Sequence, residues 1–167
     1  MPLHIIIDGY NLIGSVAGLR GNLEARRDRL IRELGEYQEK KGYPITVVFD
    51  GWRSGWINEV EERIDRIHVV YSKQGEKADS VILRLAREMG SGCVVVSSDR
   101  EVRSGAEACG AVPVYAGEFR AKLGQPASAN SAEDDEGLKG LRVERKRGNP
   151  RKLSKRERRK RERLRKL

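Results

Sequence analysis

The 167-residue chain predicts an α/β fold: a three-layer sandwich on a mostly parallel sheet of about five strands, with a basic C-terminal tail. Three observations predict it. The apolar runs Ile5-Ile6-Ile7, Ile45 to Phe49 and Val94-Val95-Val96 are continuous rather than alternating, as in strands buried on both faces. Amphipathic segments of helical length separate these runs, so the connections are right-handed crossovers and the strands lie parallel. Finally, Asp8, Asp50, Asp79 and Asp99 each stand where a strand-like run ends or the following helix begins.

The first strand covers about Leu3 to Ile7, and a loop follows from Gly9 to Gly14. Asn22 has the position of a cap for a helix from about Leu23 to Lys40, whose Leu23, Leu30, Ile31, Leu34 and Tyr37 recur at helical spacing. Gly42 and Pro44 end it. The second strand is Ile45 to Phe49. Asp50 to Ile64 opens with glycines and continues into charge-rich Asn58 to Arg63, which reads as a short helix. The third strand is about Ile67 to Tyr71. A helix from about Lys77 to Met89 carries Ala78, Ile82, Leu85 and Ala86 on one face, and Gly90-Ser91-Gly92 breaks it. Cys93 to Ser97 forms the fourth strand. Ser98 and Glu101 have capping-box spacing for a helix from Asp99 to Cys109. Val112 to Tyr115 is the fifth strand, and a short helix covers Gly117 to Leu123.

Charge divides the chain. Residues 142–167 hold 15 Lys/Arg against 3 Glu, a net of +12, whereas residues 1–141 carry a net of −3. Residues 1–123 form the expected globular domain, 124–141 a small-residue and acidic linker, and 142–167 a basic tail for binding RNA. From Arg151 onward only Leu153, Leu164 and Leu167 are apolar, so the tail is expected to stay out of the core, disordered or transiently helical. Its candidate RNA contacts are Arg151, Lys152, Lys155, Arg156, Arg158, Arg159, Lys160 and Arg161. Cys93 and Cys109 lack metal-ligand spacing and read as reduced thiols. No apolar run near the start is long enough for a signal peptide or a membrane span. A cytoplasmic protein without a membrane partner is the expectation.

The acids carry the chemistry. In an open parallel sheet the carboxyl ends of the strands share one edge, where ligands bind. Several carboxylates there repel one another in the absence of a cation. Clusters of oxygen ligands suit Mg²⁺ or Mn²⁺, and such ions suit phosphate chemistry. No small-molecule cofactor is expected: the glycines around Gly9 and Gly14 lack the G-x-G-x-x-G fingerprint. A phosphatase of the Asp-x-Asp type is disfavoured, because Asp8-Gly9-Tyr10 lacks the second acid.

The segments Asp8-Gly9-Tyr10-Asn11-Leu12-Ile13, Val48-Phe49-Asp50-Gly51, Lys77-Ala78-Asp79-Ser80 and Val96-Ser97-Ser98-Asp99 occur in the order found in bacterial YacP-like NYN-domain proteins. The chain resembles that family, part of the wider PIN-like nuclease superfamily, over about Leu3 to Leu123. The resemblance implies a Rossmann-like PIN/NYN fold and a metal-dependent endoribonuclease that cleaves single-stranded RNA, with ribosome-associated mRNA among the expected targets. It implies Asp8, Asp79 and Asp99 as the metal-binding acids, Asp50 as a further catalytic acid, and Asn11 and Ser98 as supporting polar residues. Lys77 replaces the threonine usual before the Ala-Asp pair. The basic tail lies outside the resemblance. A non-catalytic RNA- or ribosome-binding protein on the same fold is the alternative.

Each feature has a plainer reading beside the functional one. Aspartates after strands also cap helices, and Ser98 can serve only as a cap. Trp52 and Trp56 suit stacking on RNA bases or packing beneath their own loop. Lys73 and Lys77 suit phosphate contacts or plain solvation. His4 and His68 lie inside strands and read as structural.

Overall fold

The computed structural model describes residues 3–17, 21–51, 57–124 and 154–167. Its elements run β1 (His4–Asp8), α1 (Gly9–Ala17), α2 (Leu23–Lys41), β2 (Ile45–Phe49), β3 (Val60–Ile64), β4 (Ile67–Tyr71), α3 (Ala78–Met89), β5 (Cys93–Val96), α4 (Arg100–Ala108), β6 (Val112–Val114), α5 (Ala116–Leu123) and α6 (Lys155–Lys166). The sheet order is β3-β4-β2-β1-β5-β6. All pairs are parallel except β3 with β4.

The uninterrupted apolar strands are buried on both sides, as their composition demands. Ile5, Ile7, Val47, Phe49, Val69, Val94 and Val96 pack toward α1, α2 and α5. Ile6, Val48, Val70 and Val95 point the other way, against α3 and α4. Burying these side chains contributes roughly 1.5–3 kcal/mol each. After β4 the chain crosses by α3 to the far side of β1, so the strand order reverses between β1 and β5. The crevice at that reversal is where an open α/β sheet binds ligands.

Local signals set the helix ends. The Asn22 side chain accepts the Ala25 N–H at 3.2 Å to start α2. Gly42 takes φ 74° to end it, a conformation that costs glycine little. Asp99, rather than Ser98, is the cap of α4: its Oδ1 accepts the N–H groups of Glu101 and Val102 at 2.8 and 3.1 Å.

Three expectations are corrected. The loop expected after the first strand is helix α1, which begins directly at Gly9. The expected short helix at Asn58–Arg63 is the sixth strand, β3. Its Glu61, Glu62 and Arg63 are exposed on the sheet margin, so only Val60 and Ile64 signal it. Asp65 and Arg66 both adopt positive φ (47° and 68°) and close the β3–β4 hairpin. The tail, finally, is not excluded from the core. Ser154 and Glu157 form a capping box that starts α6. Leu164 packs on the core and Leu167 is 2% exposed. The Tyr37 hydroxyl donates to the Leu167 carbonyl at 2.6 Å. α6 lies on β6, the margin strand that carries Pro113. It flanks an edge that would otherwise be open to pairing with another strand.

Candidate active site

Asp8 ends β1 at the strand-order reversal and is 7% exposed. Its Oδ2 accepts the Ser97 hydroxyl at 3.3 Å, and its carboxylate accepts the Asn11 backbone N–H. Burial, then the nearby Asp79 and Asp50, push its carboxyl up to about 7, and the two hydrogen bonds oppose that rise. Gly9 is required next to it. A Cβ there would overlap the Phe49 ring, which stacks edge-on against Tyr10 at 5.0 Å.

The other acids arrive from three further elements. Asp50 follows β2, and its Oδ1 accepts the Ala78 N–H at 2.7 Å. It thereby caps α3, whose own N-cap residue, Lys77, makes no side-chain cap bond. Asp79 lies in the first turn of α3. Burial, Asp99 and Asp50 raise its carboxyl above the usual carboxylate range, and Lys77 partly offsets them. Asp99 caps α4 while facing Asp79. The four acids therefore occupy one electrostatic neighbourhood: Asp8 senses Asp79 and Asp50, and Asp79 senses Asp99 and Asp50. Among the described residues, no three His, Cys, Asp or Glu side chains stand close enough to grip a metal ion as placed. Two of the carboxylates, those of Asp50 and Asp99, are turned to helix N-termini.

The polar support differs in detail from expectation. Asn11 does not hold Asp8 with its side chain. Its Oδ1 accepts the Ser98 N–H at 2.9 Å and ties the start of α1 to the end of β5. Ser98 contributes that backbone group. The hydroxyl at the site belongs to Ser97, fully buried, which touches Asp8 and accepts the Asp99 N–H at 3.1 Å. Ser72 was also missed. Its hydroxyl accepts the Gly51 N–H at 3.0 Å and donates to the Glu76 carbonyl at 2.7 Å, joining the loops that present Asp50 and Asp79.

Lys73 and Lys77 are exposed, and Lys77 adjoins Asp79. Trp52, Trp56, Arg151 and Lys152 lie outside the described residues. Lys155, Arg156, Arg158, Arg159, Lys160 and Arg161 fall on α6. Arg156 is engaged with Glu107 and Arg159 with the Gly110 carbonyl. His4, Thr46 and His68 form a hydrogen-bonded row across β1, β2 and β4 that ends at Glu61. His4 is at the opposite end of β1 from Asp8, about 13 Å away at strand rise.

A sequence model of the YacP-like NYN domain matches residues 5–166, so the match extends through α6 and beyond the span expected from the motifs. The uncharacterized protein YacP of Bacillus subtilis (strain 168) is 33% identical over 91 residues. That alignment covers 52% of this chain, and the chain spans about half (53%) of that relative's length. The crystal structure of Rae1 (YacP) from Bacillus subtilis superposes with a TM-score of 0.58 at 30% identity, over 74% of each chain. Its W164L mutant gives 0.62 at 29% identity, over 72% of this chain and 74% of that one. The fold, the order of the acidic segments and these matches agree: the chain belongs to the YacP-like NYN domain family, with its nuclease-type fold.

Proposed function

We propose that this protein is a metal-dependent endoribonuclease that cleaves single-stranded RNA, with ribosome-associated mRNA among its targets. The observation that carries the proposal is Asp8. A buried carboxylate at the ligand-binding crevice, beside two more acids and held by two donors, is costly to the fold in the absence of a counter-charge. The donors are hard oxygens, which suit Mg²⁺ or Mn²⁺.

Asp8, Asp79 and Asp99 would hold the cation. When bound, it supplies a more acidic water and neutralises charge on the scissile phosphate. The remaining work falls to the chain. Ser97 and the Asn11 N–H favour the ionised form of Asp8 against the larger opposing effect of burial, and fix its orientation. Asp50 anchors the first turn of α3, and so positions Asp79. Lys77 places a positive charge at the rim, where a substrate phosphate would approach.

One observation favours the non-catalytic reading. Asp50 and Asp99 both have structural employment as caps. Cleavage of labelled single-stranded RNA in Mn²⁺, against EDTA, separates the two. We expect Mn²⁺-dependent internal cleavage by the wild type and its loss in a folded Asp8→Asn protein. Undiminished cleavage by purified Asp8→Asn would refute the catalytic assignment.

A further inference from the structure

α6 does more than cover β6. It forms one wall of a cleft of about 460 Å³, with α4 and β6 as the others. The cleft is strongly cationic: Arg103, Lys155, Arg156, Arg159 and Lys160 line it against the single acid Glu107. Arg156 neutralises that acid. Beside the cleft stands Tyr115, 40% exposed, an unusual amount for a large ring among the described residues. The Arg103 guanidinium lies 3.6 Å from its ring centroid and the Lys160 ammonium 5.1 Å. The Arg103 Nε is buried and has no hydrogen-bond partner among the described residues.

The position matters as much as the composition. The cleft runs along the start of β6, lined there by Val112 and Pro113, whereas Tyr115 directly follows β6 and stands at the same carboxyl edge of the sheet as the acids, joined to the cleft through Arg103 and Lys160. The preceding residue, Val114, accepts the Ser97 N–H at 3.0 Å, and the Ser97 hydroxyl reaches Asp8. Only two residues thus connect the aromatic group to the buried carboxylate.

We infer that this cleft holds a nucleotide of single-stranded RNA next to the acidic site. The base stacks on the Tyr115–Arg103 pair, and Lys155 and Lys160 take the adjoining phosphate. The inference rests on the RNA reading above. An aromatic ring backed by a guanidinium is a platform for an unpaired base, whose face a duplex would hide. The surrounding cations match the phosphate backbone. An acidic protein would use the cations and leave the ring without a role.

Fluorescence anisotropy of the full chain in EDTA tests this without cleavage. The probes are a labelled short single-stranded RNA, the same strand with abasic positions, and a poly-glutamate peptide. Tyr115→Ala should weaken RNA binding by about 5- to 20-fold and erase the preference for the base-bearing strand. Tyr115→Phe should retain both, and Lys160→Ala, on α6, should weaken binding to both strands. Thermal melts identify any variant that fails to fold, and the remaining variants still decide. Equal RNA affinity for Tyr115→Ala and wild type overturns the inference, and wild-type cleavage in Mn²⁺ would leave the nuclease reading standing. Tyr115-dependent binding without any Mn²⁺-dependent cleavage supports the cleft and overturns the nuclease. Poly-glutamate binding as tight as RNA, sensitive to Lys160→Ala but not to Tyr115→Ala, overturns it in favour of an acidic partner.

Discussion

Asparagine replaces aspartate well at a helix cap and poorly at a divalent cation. That asymmetry separates the observed role of Asp99, capping α4, from the metal-holding role proposed for it beside Asp79. Asp99→Asn should stay within about 1 kcal/mol of wild-type stability, and cleavage should fall at least about tenfold, the loss typical even of a residue that only supports a metal ligand. Retained cleavage in a well-folded Asp99→Asn would leave capping as its whole role. Asp8 gives a pH signature. Its folded value, about 7, lies above the ordinary 3.8, so the folded state binds the proton more tightly. The associated stability is full below about pH 4 and is lost as pH rises to about 7. Asp79 is raised too and adds to the same trend. In chelator, Asp8→Asn should therefore gain about 1–4 kcal/mol over wild type at pH 8, and less at pH 5, by denaturant titration. A wild type equally stable at both values would contradict the shift. The four acids were legible in the sequence because each follows a strand or opens a helix. Ser97 was not, since a serine after a strand is ordinary and its partner Asp8 is 89 positions away. The Asp50 cap was hidden for the same reason, with Ala78 lying 28 positions downstream.

Strands and helices with strong periodicity were easy to read, and those at the margins were not. β1, β2, β4 and β5 announce themselves by runs dominated by Ile and Val, which reflects burial on both faces. β3 lacks that pressure, and its charged middle resembles a helix surface. α6 misleads by composition. Among the described residues only Leu164 and Leu167 bury apolar surface, and polar contacts complete the docking: Arg156, Arg159 and Arg163 reach Glu107, Gly110 and Ser91, and the Tyr37 and Tyr43 hydroxyls donate to the Leu167 and Lys166 carbonyls. Removing the tail would thus strip a layer from the protein as well as its charge. Close backbone approaches also escape sequence reading. A Cβ at Gly51 would overlap the Ser72 carbonyl oxygen, because the loops after β2 and β4 touch there. Gly51→Ala should cost about 2–4 kcal/mol, seen as a lowered melting midpoint. It should reduce cleavage beyond the folded fraction lost, since Asp50 is the preceding residue. A wild-type midpoint would show that the loops can part at no cost.

At the scale of the whole molecule, the sequence separates a mildly acidic body from a basic tail, and folding brings them together along β6. Several tail cations are then engaged with the protein, so fewer act on RNA than the net +12 suggests. Single-strand binding should give a log–log salt slope of about −0.7 for each phosphate neutralised. We expect a slope near −2 to −4 by anisotropy between low and moderate salt, whereas a slope near −8 would mean that α6 leaves its seat when RNA binds. The seating of α6 has one more consequence, in time rather than space. β6 is synthesised about 40 residues before α6, which takes a ribosome roughly 2–8 s. Throughout that interval the newborn sheet carries an open margin on β6, able to pair with any extended chain nearby. Slow translation of the segment before α6 would prolong this exposure and raise the yield of misassembled protein, even though no folded contact had changed.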